Sequence, residues 1–92
     1  MSYILLVNNE SDLNETLAEY LSTAGHVVTC STSAKEALEF IKEKNFDLIL
    51  SDVKMNDMDG IEFYKEYKLT KNPASRFVLM TGHAELQVKP DA

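Results

Sequence analysis

Residues 46–60 have the sequence FDLILSDVKMNDMDG, and this stretch decides the fold. Phe46 to Ser51 is a short, mostly apolar run, which is typical of a strand buried inside a sheet. The run ends at an acidic residue, Asp52, and a polar loop from Val53 to Gly60 follows it. A buried strand that leads directly into a polar loop through a carboxylate predicts a site at the end of that strand.

Three further apolar runs predict strands on both sides of this stretch. The first of them, residues 3–7, is continuously apolar and rich in strand formers, which is the pattern of a strand covered by helices on both faces. The three runs are residues 3–7, 26–30 and 77–80.

Helical periodicity fills the segments between the strands. The first predicted helix begins at Ser11, whose side chain is expected to cap it, and ends at Gly25 in a left-handed conformation. The second begins at a capping box formed by Ser33 and Glu36 and runs to about Asn45. The third has apolar residues at helical spacing at positions 61, 64 and 67.

Strands that alternate with helices predict a parallel α/β sheet with helices on both faces. In such sheets ligands bind outside the carboxyl ends of the strands. The residues expected at those ends are Asn8 and Asn9, then Asp52, then Thr81 with Gly82. The sequence therefore predicts a polar site at one edge of the sheet.

Composition limits the function classes. The chain has 92 residues and a formal net charge of −6, so residues 1–92 are expected to form a single domain that repels nucleic acid and anionic lipid. The single cysteine, Cys30, allows no internal disulfide. No segment has the features of a signal peptide or a membrane span, so the sequence predicts a cytoplasmic domain. Because no nucleophile and base occur at a recognisable spacing, no enzymatic activity is predicted.

The segment from Leu48 to Gly60 resembles the phosphoacceptor strand and loop of a response-regulator receiver domain, the CheY-like module of two-component signalling. Val78 to Gly82 is similar to the fourth strand of that family. The resemblance implies a flavodoxin-like sheet with flanking helices, here shortened to about four strands and three helices.

The resemblance also implies roles for individual residues. Asp52 would accept a phosphoryl group from a sensor histidine kinase, and Thr81, beside the small Gly82, would bind that group and signal to a downstream effector. A Mg²⁺ ion would contact the Asp52 side chain and the backbone of Lys54.

Two features depart from the family pattern. Asn8 and Asn9 occupy the positions of the acidic pair that holds the metal, which argues against Mg²⁺ binding because this ion is usually held by carboxylates. Glu10 and Asp12 are the alternative carboxylates, although neither matches the motif. Lys89 resembles the family's conserved cation and is the candidate cation here. However, only seven residues separate it from Thr81, too few for a parallel crossover of about a dozen.

The resemblance accordingly predicts a receiver-like domain without the usual fourth helix, fifth strand and fifth helix. The fourth strand would then be an open edge, for which a homodimer or swapped assembly is expected.

Other interpretations remain open. The domain could be a pseudo-receiver that binds partners or dimerises independently of phosphorylation. A small-ligand α/β binding protein is a third possibility, although the sequence has no glycine-rich phosphate loop. Asp57 and Asp59 are interpreted as turn and helix-start residues.

Overall fold

The fold is described from a computed structural model, which describes residues 2–55, 57–70 and 74–80. Strands and helices alternate along the chain. In order they are β1 (Tyr3–Val7), α1 (Ser11–Thr23), β2 (Val27–Ser31), α2 (Ala34–Glu43), β3 (Leu48–Asp52), α3 (Gly60–Lys68) and β4 (Arg76–Met80).

The four strands form one parallel sheet in the order β2-β1-β3-β4. These are the first four positions of the flavodoxin-like order 2-1-3-4-5. The predicted fold class is therefore confirmed. Residues 81–92 lie outside the described part, so the prediction of one domain without the later elements remains a prediction.

The main core lies between the sheet and the pair α2 and α3. Strand residues Leu5, Val7 and Ile49 pack there against Phe63 and other buried side chains of the helices. Ile4 and Leu6 of β1 are also buried, and strand alternation directs them to the opposite face. β1 is thus covered on both faces, as its continuous apolar sequence predicts.

Helix ends agree with the sequence in part. Gly25 follows α1 with a φ of 97°, the left-handed conformation that was predicted. Ser11 is the first residue of α1 and not its cap; Glu10 is at the N-cap and provides no side-chain hydrogen bond. At α2, Ser33 accepts a hydrogen bond from the Glu36 N–H, as predicted.

The second half of the predicted capping box at α2 is wrong. The Glu36 carboxylate accepts a hydrogen bond from the Ser31 hydroxyl at 3.0 Å. The Ser33 N–H donates to the same hydroxyl at 3.3 Å. Ser31, at the end of β2, therefore bonds both the Ser33 N–H and the Glu36 carboxylate, which the capping box would have joined to each other.

Within the described residues, no helix is both long enough and apolar enough to cross a membrane.

Candidate functional site

The end of β3 lies beside the ends of β1 and β4. Val7 pairs with Ser51, so the next residues, Asn8 and Asp52, leave the sheet at the same edge. Asp52 itself pairs with Met80 of β4. The structure therefore brings Asn8 and Asp52 to one edge, whereas the predicted site residues Thr81, Gly82 and Lys89 lie outside the described residues.

Asp52 is an acidic side chain held almost entirely away from solvent. It is 7% exposed, and its Oδ1 is buried without a hydrogen-bond partner in the described part of the chain. A buried polar atom without a partner costs free energy, so such atoms are rare and call for an explanation. An electrophile or a cation at the strand ends would provide the missing partner.

Three hydrogen bonds hold the backbone around Asp52. The Ser51 hydroxyl donates to the Asp52 carbonyl oxygen at 3.0 Å. The Val53 N–H donates to the carbonyl oxygen of Met80 at 3.0 Å, and the Gly60 N–H donates to that of Val53 at 2.6 Å. These bonds join the end of β3 to β4 and to the start of α3, so the carboxylate is carried by a rigid segment.

Asn8 is buried at 2% exposure, and its oxygen is already in use. Its Oδ1 accepts a hydrogen bond from the Glu10 N–H at 2.9 Å, the local turn that asparagine side chains commonly form. The other end of the amide is then an NH₂ group, which is a donor and repels a cation. An aspartate at this position could make the same turn and would still have a second oxygen available.

These residues do not fit the Mg²⁺ site that the family resemblance implies. Mg²⁺ is bound by oxygen ligands that include one or two carboxylates. In residues 2–55, 57–70 and 74–80, no group of three or more His, Cys, Asp or Glu side chains could hold a metal ion. Asp52 provides a carboxylate at this edge, and the oxygen of Asn8 accepts the Glu10 N–H.

Asn14 supports the site at the end of β1. This role was not predicted from the sequence, because Asn14 is one polar residue within an amphipathic helix. It is 2% exposed, and its Nδ2 donates to the carbonyl oxygens of Asn8 and Ser31, each at 3.0 Å. One amide thus joins α1 to the ends of β1 and β2. The signal in the sequence is an asparagine at a position of the helix where the periodicity favours an apolar residue.

Asp57 also has a larger role than the turn residue that was predicted. Its Oδ1 accepts a hydrogen bond from the Ala34 N–H at 3.2 Å, and its Oδ2 accepts one from the Lys35 N–H at 2.9 Å. These donors are the first two residues of α2. The other prediction in this loop is confirmed, because Asp59 caps α3 in a reciprocal capping box with Glu62.

The same hydrogen bonds lower the pKa of the Asp57 carboxyl. Burial acts to raise this pKa, but the N–H groups of Lys35, Ala34, Asp57 itself and Met58 together outweigh burial. Since the unfolded chain has the ordinary, higher pKa, the bonds stabilise the fold above that value. Their contribution is lost as the pH falls through the lower pKa of the folded state.

Comparison with known sequences agrees with this geometry. A family model described as "Response regulator receiver domain" matches residues 4–92. The response regulator receiver protein CpdR of Brucella abortus (strain 2308) is 33% identical over 93 residues, which cover 100% of this chain and 76% of that protein. The transcriptional regulatory protein ZraR of Escherichia coli (strain K12) is 36% identical over 89 residues. That match covers 97% of this chain and 20% of ZraR, so the chain spans about a fifth of that relative.

Two solved structures have the same fold. A response regulator receiver domain protein from Clostridium thermocellum has a TM-score of 0.81 at 27% identity, covering 95% of this chain and 70% of that one. A chain in the complex of histidine kinase ThkA with response regulator protein TrrA has a TM-score of 0.83, also at 27% identity. The latter match covers 98% of this chain and 77% of that one.

Proposed function

Because the chain belongs to the family of response regulator receiver domains, we propose that Asp52 is its phosphoacceptor and that it receives the phosphoryl group in a two-component phosphorelay. The observation that supports this most is the Asp52 carboxylate itself. It lies at the carboxyl end of a central parallel strand, and one of its oxygens is buried and has no hydrogen-bond partner among the residues that the structure describes.

The proposed reaction is a group transfer. A carboxylate oxygen of Asp52 attacks the phosphorus atom of the donor, the bond from phosphorus to the leaving group breaks, and an acyl phosphate forms. Phosphoryl transfer depends mainly on positioning and on neutralising the charge of the phosphoryl oxygens. The rigid end of β3 provides the positioning. Thr81, with Gly82 beside it, is the proposed contact for the phosphoryl group, and Lys89 is the proposed cation.

The proposed donor is a sensor histidine kinase, and the proposed output is a conformational change read by an effector protein. The support is indirect: a structural neighbour is the complex of a histidine kinase with a response regulator. Relatives such as ZraR are named as transcriptional regulatory proteins and are about five times longer than this chain. The domain is proposed to act as a cytoplasmic signalling module and not as an enzyme.

Incubation with acetyl phosphate tests the assignment of Asp52. The chain is expected to gain one phosphoryl group in intact-mass measurements, and Asp52→Asn is expected to abolish the gain because the amide is not a nucleophile. Asp47→Asn is the matched control, since it removes an aspartate from the opposite edge of the sheet, where Asp47 accepts the Tyr3 N–H at 2.7 Å. Each reaction is run with and without Mg²⁺.

A mass gain that survives in Asp52→Asn would refute Asp52 as the acceptor. A complete lack of gain in the unmodified chain, with and without Mg²⁺, would favour the second candidate function. That candidate is a pseudo-receiver that binds partners independently of phosphorylation. The amide at Asn8, whose oxygen is occupied by the Glu10 N–H, is the observation in its favour.

Self-association through β4 is a further part of the proposal. In the described part of the chain, β4 pairs on one side with β3, and its Val78 and Leu79 side chains are exposed. An unpaired strand edge beside apolar side chains favours pairing with a second copy. Light scattering at tens of micromolar is expected to give the mass of a dimer, and a monomer at that concentration would refute it.

A further inference from the structure

The N-terminus of α2 obtains its hydrogen-bond partners from two places in the sequence. The first four N–H groups of a helix have no partner within the helix. The third in α2, from Glu36, is satisfied locally by the Ser33 side chain at 3.1 Å. The first two, from Ala34 and Lys35, donate to Asp57, which lies 23 and 22 residues further along the chain.

Asp57 belongs to the loop that follows the proposed phosphoacceptor. On its two sides, Met55 and Met58 pack against the main core. The loop begins at Asp52 and ends where Asp59 caps α3. Its start and end are thus tied to β4 and α3, and Asp57 ties its middle to α2.

The bond between Asp57 and α2 has the geometry of a charged helix cap. Each carboxylate oxygen accepts one N–H of α2, and the negative charge lies at the positive end of the helix dipole. Such a link is sensitive to displacement, because hydrogen bonds weaken steeply when their distance and angle change. A movement of the loop would therefore either misalign these two hydrogen bonds or displace the first turn of α2 with the loop.

We propose that Asp57 is a positioning residue that joins the loop after Asp52 to the N-terminus of α2, so that α2 responds to the state of the Asp52 site. The link between loop and helix is a property of the fold. The inference that α2 responds to phosphorylation of Asp52 through this link rests on the function proposed above.

The variant Asp57→Asn tests the link in the unmodified protein. The amide retains one acceptor and directs an N–H towards a donor, so the amide hydrogens of Ala34 and Lys35 should exchange roughly fivefold faster. If Asp57 also positions the loop, the backbone amide resonances of Val53 and Lys54 should shift as well. A cap that serves α2 alone would leave those two resonances unchanged, and that result would overturn the proposal.

Two further variants complete the comparison. Asp47→Asn removes a carboxylate that accepts one backbone N–H at the other edge of the sheet, and it should leave both sets of resonances unchanged. Asp57→Glu keeps the carboxylate, on a side chain one methylene longer, and should restore part of the slow exchange at Lys35. A shift at Val53 and Lys54 in Asp47→Asn as large as that in Asp57→Asn would contradict the assignment.

Phosphorylation of Asp52 tests whether the state of the site affects α2 through Asp57. After acetyl phosphate treatment, the amide resonances of Ala34 and Lys35 should shift in the unmodified chain, and this shift should be lost in Asp57→Asn. Phosphorylation of Asp52 without any shift of the Ala34 and Lys35 resonances would refute the proposed coupling to α2. If Asp52 gains no phosphoryl group at all, the proposed function fails. The comparison of the unphosphorylated variants still decides whether Asp57 positions the loop.

Discussion

Replacing Asn8 and Asn9 together with aspartate is expected to strengthen Mg²⁺ binding at the carboxyl ends of β1 and β3. The double variant would add two carboxylates directly after β1, at the edge where β1 and β3 end. An aspartate at position 8 can accept the Glu10 N–H with one oxygen, as Asn8 does, and offer the other to the metal. We expect Mg²⁺ to bind at least roughly tenfold more tightly than in the unmodified chain.

Thermal unfolding measures this gain without requiring any phosphorylation. Without metal, the double variant should be less stable than the unmodified chain because three neighbouring carboxylates repel one another. With Mg²⁺ at about a hundred times its dissociation constant, binding adds about 2.7 kcal/mol. For a domain of this size that is a rise of roughly 10 °C or more in melting temperature.

The control for added charge is Asn45→Asp, which introduces a carboxylate on the exposed segment before β3, at the other edge of the sheet. It should show no Mg²⁺-dependent rise. An unmodified chain that already shows the full rise would contradict the interpretation of Asn8. A double variant that gains both the metal and Mg²⁺-dependent phosphorylation would show that the rest of the receiver site is intact.

The fold was predictable because its strongest signals are local. The apolar runs of β1 and β3 are too continuous for a surface strand, and both were placed within two residues of their observed limits. The Asp59 helix start and the left-handed Gly25 depend on side-chain and backbone preferences that act over a few residues. Such features can be inferred from a single sequence.

The site was less predictable because its partners are distant in sequence. Asp57 bonds to a helix that begins 23 residues earlier, and Asn14 bonds across 17 residues to the carbonyl oxygen of Ser31. A short polar side chain in a loop or on a helix carries no local signal of such a partner. Ser31 likewise took part of the capping role that the sequence assigned to Ser33 and Glu36.

Replacing Gly60 with alanine is expected to destabilise the domain by about 3 kcal/mol. A Cβ at this position would lie 2.5 Å from the Asp52 carbonyl oxygen, 2.7 Å from Leu79 Cδ2 and 3.0 Å from Val53 Cα. The leucine side chain can move, but the two backbone atoms belong to the rigid end of β3. The first turn of α3 would therefore have to move away from the sheet, which costs packing.

Gly25→Ala is the matched control, because no atom lies within 4 Å of a Cβ built there. Its cost comes from the positive φ alone and is expected to be about 1 kcal/mol. Gly25→Asn should cost less, since asparagine adopts this conformation more readily. Urea unfolding of the variants separates steric crowding from backbone strain. If Gly60→Ala is no more destabilising than Gly25→Ala, the close approach of α3 to the backbone of Asp52 does not constrain the fold.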